Sequence, residues 1–201
     1  MNEDQLVAAI RQRASNPATR TDFADRWHRE LGPPASADAI EAAAREMGYH
    51  FHQFHARLFK EVGNGGFGPG AGLIGIPGGS LDVDERSVIE LRQDIFSDHE
   101  KLQMPSVVPL CDWGCGIWSC VDCETGAVLS TSEFGPRDLE QGIHSWFEDW
   151  ISGVNLWDRM VVVGEIRIKH PRTRQWVVGQ RVTGMRGKMW SGERRAATRH
   201  S

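Results

Sequence analysis

The hydrophobic period of this chain changes once, and that change constrains its fold more than any motif. Up to Ile95 apolar residues recur at steps of three and four; from Val107 they largely alternate. A period near 3.6 lays a stripe along a helix, and a period of two lays a face along a strand. Helices first and strands afterwards predict an α+β fold, since parallel βαβ units would alternate throughout. The expected arrangement has N-terminal helices packed on a central, mainly antiparallel sheet, a closing helix and a C-terminal β-hairpin extension.

Local signals place the elements. Leu6, Val7 and Ile10 begin a first helix; after Asn16-Pro17 a second carries Phe23, Trp27 and Leu31 and stops at Gly32. Ser36 is placed to cap a third helix with Ile40, Ala43, Ala44 and Met47 inward and Gly48 closing it. A fourth turns Phe51, Phe54, His55, Leu58, Phe59 and Val62 to one side and ends at Gly63. Asp82, with Glu85 in the capping-box position, is expected to start the helix of Val88, Leu91 and Ile95. Three strands follow, Val107 to Cys111, Cys115 to Cys123 and Ala127 to Thr131, joined by turns at Asp112-Trp113-Gly114 and Glu124-Thr125-Gly126. The closing helix is expected from near Asp138, burying Leu139, Ile143, Trp146, Phe147 and Trp150. Met160 to Lys169 and Gln175 to Thr183 read as a last hairpin, and Gly184 to Ser201 as a frayed end. Residues 1–33 form a helical extension, 34–157 the main domain and 158–201 a basic extension.

Charge divides the chain differently. The 44 residues from Asp158 onward hold 11 basic and 3 acidic side chains, net +8; the first 157 hold 12 basic and 24 acidic, net −12. The body therefore favours a cationic partner over nucleic acid. Its expected contact residues are Asp82, Asp84, Glu85, Asp112, Asp122 and Glu124, with Trp113 as the tryptophan best placed for exposure. Arg172, Arg174, Arg181, Arg186, Arg194 and Arg195 make phosphate contact the alternative use of the tail. With 40% hydrophobic residues the chain is not a disordered polyelectrolyte. Apolar runs of only a few residues leave no membrane-spanning stretch, and an N-terminus with early acids does not read as a secretory signal, so a cytoplasmic protein is expected.

The chemical motifs each meet a physical objection. Gly63-Asn64-Gly65-Gly66-Phe67-Gly68 formally matches a dinucleotide fingerprint, yet it leaves a helix rather than opening one, so no helix N-terminus faces an anion. Gly63, Asn64, Gly65 and Gly66, like Gly114, are read as structural turns. Cys111, Cys115, Cys120 and Cys123 lack zinc-ribbon spacing, and alternation along a strand would separate their thiols. Buried thiols in a reducing compartment are the expectation, without disulfides. His50, His52 and His55 lack an acidic partner within a turn, and are read as partly exposed helix residues. A cysteine nucleophile with His99 or His144 has no activating motif. No catalytic residue, metal or cofactor is expected.

Several segments together resemble a known family. Ser36 to Met47, Leu58-Phe59, Val62 through Gly70, Cys111-Asp112-Trp113-Gly114-Cys115, Trp118 through Cys123, Trp146 to Trp150, Gly153 and Leu156-Trp157 are similar, in order and spacing, to a bacterial SUKH domain of the Smi/Knr type. The resemblance spans about Pro34 to Trp157. It implies an α+β fold without enzymatic chemistry, and for many bacterial members an immunity protein that binds and neutralises a cognate toxin. Here the toxin would be basic, possible nuclease activity included. The alternative function is a regulatory scaffold whose basic tail contacts nucleic acid or an acidic partner. His52 stands where members often carry a proline, and neither the opening helices nor the extension after Trp157 belongs to the pattern.

Overall fold

A computed structural model describes residues 1–23, 29–97 and 104–190. Its elements are α1 (Glu3–Ala14), α2 (Ala37–Met47), α3 (Gln53–Glu61), α4 (Val88–Ser97), β1 (Val107–Asp112), β2 (Trp118–Asp122), β3 (Ala127–Thr131), β4 (Arg137–Gly142), α5 (Ile143–Ile151), α6 (Leu156–Met160), β5 (Val161–Lys169), β6 (Trp176–Met185) and β7 (Lys188–Met189). Strands β1-β2-β3-β4-β7 form a five-stranded antiparallel sheet, and β5-β6 a separate two-stranded one. The α+β class and the terminal hairpin are as expected.

The helix caps explain several boundaries. Asn2 accepts from the Gln5 amide while the Gln5 side chain accepts from the Asn2 amide, a capping box that opens α1. Ser36 caps α2, and Gly48 closes it at φ 70°. The expected second helix falls largely on residues 24–28, Trp27 among them, outside the described residues; residues 29–36 are not helical.

Asp82 does not open α4. Ser87 does: Glu90 accepts from the Ser87 amide and hydroxyl, and Ser87 Oγ accepts from the Glu90 amide. Asp82 instead folds its own loop around Arg86.

The sheet departs from expectation at three places. Cys115 and Gly116 are left-handed, φ 54° and 71°, so residues 113–117 make the turn and β2 begins only at Trp118. Residues 137–142 are a strand rather than the start of the closing helix. There the Asp138 carboxylate accepts from the Glu140 amide and Glu140 lies at φ 56°, a bulge that lets β4 cover the open edge of β3 before α5 begins at Ile143. Finally, the segment after Gly184 is not frayed throughout: β7 extends the sheet beyond β4, and Trp190 is buried.

Both faces of the sheet are covered. On one, Val108, Cys111, Val121 and Val128 meet Trp146, Phe147 and Trp150 of α5, with α1 and α3 behind. On the other, Val107, Cys120 and Leu129 pack with Met104 and Trp190. Two-sided burial is why β1 is buried at every position.

The glycine-rich segment is interior structure. Phe67, Leu73, Ile74 and Ile76 are almost wholly buried, and Asn64 is buried beside them. Gly65, Gly66 and Gly114 have positive φ, as their reading as turns requires. Gly63 does not; its lack of a side chain serves close approach, since a Cβ would lie 2.6 Å from the Gly32 carbonyl oxygen.

Candidate functional site

Of the seven expected contact residues, four turn inward. Asp82 is buried and accepts from the amides of Asp84 and Arg86 and from Arg86 Nε at 2.9 Å. The same guanidinium reaches Asp84 at 2.8 Å and Asp94 at 2.9 Å. Asp112 accepts from the amides of Gly114 and Val83 and pairs with buried Arg29 at 3.4 Å. Burial raises the Asp112 pKa and lowers that of Arg29, so desolvation outweighs their attraction. Asp122 is buried, accepting from the Glu124 amide. Trp113 is only 4% exposed, against expectation, because its indole Nε1 donates to buried Ser119 Oγ and its ring joins the core. Asp84, Glu85 and Glu124 remain at the surface; Asp84 is held by Arg86, and Glu124 accepts from the Tyr49 hydroxyl.

The candidate nucleophiles and ligands stand apart. Cys111, Cys120 and Cys123 are buried, and burial pushes their thiols up, Cys123 to about 12, so they stay protonated at neutral pH. Cys115 is exposed on its turn. His55 is wholly buried between Phe51 and Phe59, with both ring nitrogens unpartnered among the described residues, and burial lowers its pKa to about 3. His52 caps α3 through Nδ1, which accepts from the Phe54 amide. His144 lies 3.8 Å from Glu148; His99 is outside the described residues. Among the described residues no three His, Cys, Asp or Glu side chains converge on a metal position.

What the fold does bring together is an aromatic cleft of about 250 Å3, lined chiefly by Arg13, Asp22, Phe23, Trp113, Trp150 and Trp157. Four separate parts of the chain build it. Helix α1 carries Arg13, whose guanidinium lies 4.1 Å from the Trp150 ring centre and donates to the Trp150 carbonyl and, at 3.0 Å, to that of Thr19. Trp150 Nε1 donates to Asp22 Oδ1 at 3.1 Å, and Arg13 lies 3.6 Å from the same oxygen. Trp113 meets Phe23 edge-on at 6.0 Å and Trp157 at 6.1 Å.

The glycine segment ties these walls together. The Gly70 amide donates to Asp22 Oδ2 at 2.9 Å, while its carbonyl accepts from the amides of Asp22 and Phe23. A Cβ on Gly70 would lie 2.5 Å from the Asp112 carbonyl oxygen and 2.9 Å from the Trp113 ring, so only glycine lets the two walls close on it. Asp22 still exposes 31% of its side chain, yet partial burial raises its pKa despite the Gly70, Arg13 and Trp150 contacts. The cleft thus offers planar aromatic walls and, at its edge, the partly exposed Asp22 carboxylate, held by Trp150 Nε1, the Gly70 amide and Arg13. It falls below the 300–1,000 Å3 or so typical of small-molecule sites, a size suited to one inserted side chain.

Sequence reasoning missed Arg13, Asp22 and Phe23 as a site. No local signal marks them: the Asp22–Trp150 bond spans 128 residues. A comparison with protein-family models matches none of them, and a comparison with curated proteins likewise finds no match.

Proposed function

We propose that this chain is a non-catalytic binding protein, an immunity protein of the SUKH type that neutralises a basic toxin by stoichiometric contact. The cleft carries the reading. An aromatic slot sized for one side chain, edged by the Asp22 carboxylate, is the kind of pocket that anchors a partner residue at the centre of an interface. A lysine or arginine of the partner would find Asp22 and the faces of Trp113 and Trp157 there. The surrounding body, net −12, would steer such a partner to it and make association salt-sensitive.

The resemblance supports the same role, because its Trp113, Trp150, Gly153 and Trp157 line one side of the cleft. Arg13, Asp22 and Phe23, which precede the resembling region, form the other side, and would adapt the pocket to this chain's own partner. Among the described residues no helix is long and apolar enough to cross a membrane, and the proposed place of action is the cytoplasm.

The test is co-expression with the toxin encoded beside it. Protection should saturate at one copy per toxin, and Trp157→Ala or Asp22→Ala should weaken the complex at least tenfold while the fold persists. Unchanged killing by the toxin, or no complex at low salt, removes the proposal.

A further inference from the structure

Half of the described cations of the body are held in ion pairs, whereas among the described residues none of those in the β5–β6 hairpin is. In the body Arg57 reaches Glu3, Asp4 and Glu61, Arg86 reaches three aspartates, and Arg11, Arg13 and Arg29 each meet a carboxylate, while Arg20, Arg45, Lys60, Arg92 and Arg137 have no ion pair among the described residues. In the hairpin, Arg167, Lys169, Arg172, Arg174 and Arg181 have no ion pair among the described residues. No acidic residue lies between Arg167 and Trp176.

The hairpin is also an arm. It is rooted by buried Val161 and Met185 and by Arg186 Nε donating to the Val161 carbonyl at 3.0 Å. From Val162 to Gly184 no residue is buried. Nine residues of β5 make it about 30 Å long. Lys169 pairs with Trp176 and Arg167 with Val178, so these four side chains share one face, and Trp176 is 63% exposed.

We propose that this arm is a sequence-independent contact for single-stranded nucleic acid. Arg167, Lys169, Arg172 and Arg174 hold phosphates, and Trp176 stacks on a base. Unpaired cations release the counterions of a polyanion without first breaking an internal salt bridge. Three of these four are arginine, whose planar fork matches phosphate. An exposed indole flanked by cations is a stacking platform that accepts any base. A narrow ribbon with neither edge paired among the described residues presents these groups to a flexible strand more readily than to a flat acidic protein surface. Ile168 and Val177, exposed on the opposite face, make an anionic membrane and a second copy of the chain the rival occupants.

The experiment uses the full chain with a labelled mixed-sequence single strand of about 20 nucleotides, its duplex, and anionic phospholipid vesicles. Four phosphate contacts predict that single-strand affinity falls about 50-fold between 50 and 200 mM salt. The double variant Arg172→Ala/Arg174→Ala should reduce that fall to about 7-fold. Trp176→Ala should weaken binding about tenfold and abolish part of the tryptophan quenching. All three residues are exposed, and an unchanged thermal melt shows that the variants fold. No anisotropy change at 50 mM salt, a salt dependence indifferent to the double variant, preference for the duplex, or arm-dependent association only with vesicles or with itself would each overturn the proposal.

Discussion

The Asn64 side chain completes a two-point hydrogen bond with the main chain of Ile76: Oδ1 accepts from its amide at 2.9 Å, and Nδ2 donates to its carbonyl at 3.2 Å. It joins the start of the glycine segment to its end, and the Asn64 main chain also binds Gly32 and Ser80. Asn64→Ala leaves the buried Ile76 amide unpaired, while the Ile76 carbonyl still accepts from the Gly79 amide, with an expected cost of about 2 kcal/mol. Chemical denaturation measures it; a loss below about 1 kcal/mol would show that the clamp is dispensable.

Two glycines with similar φ should behave differently. Gly48, φ 70°, has nothing near a prospective Cβ, so Gly48→Ala should cost only the left-handed penalty of about 1 kcal/mol. Gly66, φ 85°, would place its Cβ 2.0 Å from the Glu30 carbonyl oxygen. Gly66→Ala is expected to cost about 4 kcal/mol or more, since backbone would have to move. Equal melting temperatures for the two variants would refute the tight packing of that loop.

Acid should destabilise the protein through His55. Its pKa is 6.5 in an unfolded chain and about 3 when buried, so the stabilising neutral form is fully present above pH 6.5 and its contribution is lost as pH falls below that. At pH 5 the loss is about 2 kcal/mol. His52, also shifted down by burial, acts in the same direction; Asp22 and Asp112, raised by burial, oppose it at lower pH. His55→Phe, packed against Phe51 and Phe59, should flatten the stability profile between pH 7 and 5. A wild-type denaturation midpoint identical at both pH values would contradict the buried imidazole.

Thiol chemistry should count one cysteine. A small thiol reagent at neutral pH is expected to modify Cys115 in the native protein, and Cys111, Cys120 and Cys123 only after unfolding. Rapid labelling of a second thiol in native protein would mean that the sheet opens locally.

Trp190 seals the outer face of the sheet over Cys120 and Leu129. Trp190→Ala should therefore cost about 3–5 kcal/mol, as for other buried large aromatics. Ending the chain at Trp157 would remove this residue together with β7 and the core contacts of Val161 and Met185. Loss of binding after that cut would report damage to the body as well as loss of the arm.

What the sequence by itself determined follows from short-range physics. The change of period, the Ser36 and Gly48 caps, the β1–β3 strands and the terminal hairpin depend on side-chain spacing and turn chemistry within a few residues. Tertiary structure decided what those rules leave degenerate. Residues 137–142 can serve a helix or a strand locally, and pairing with the open edge of β3 selected the strand. Asp112 and Trp113 look like surface turn residues until Arg29 and Ser119 meet them. The cleft was illegible for the same reason: Asp22, Gly70, Trp113 and Trp150 acquire their roles only when distant segments pack, because burial and hydrogen-bond geometry are properties of neighbours in space.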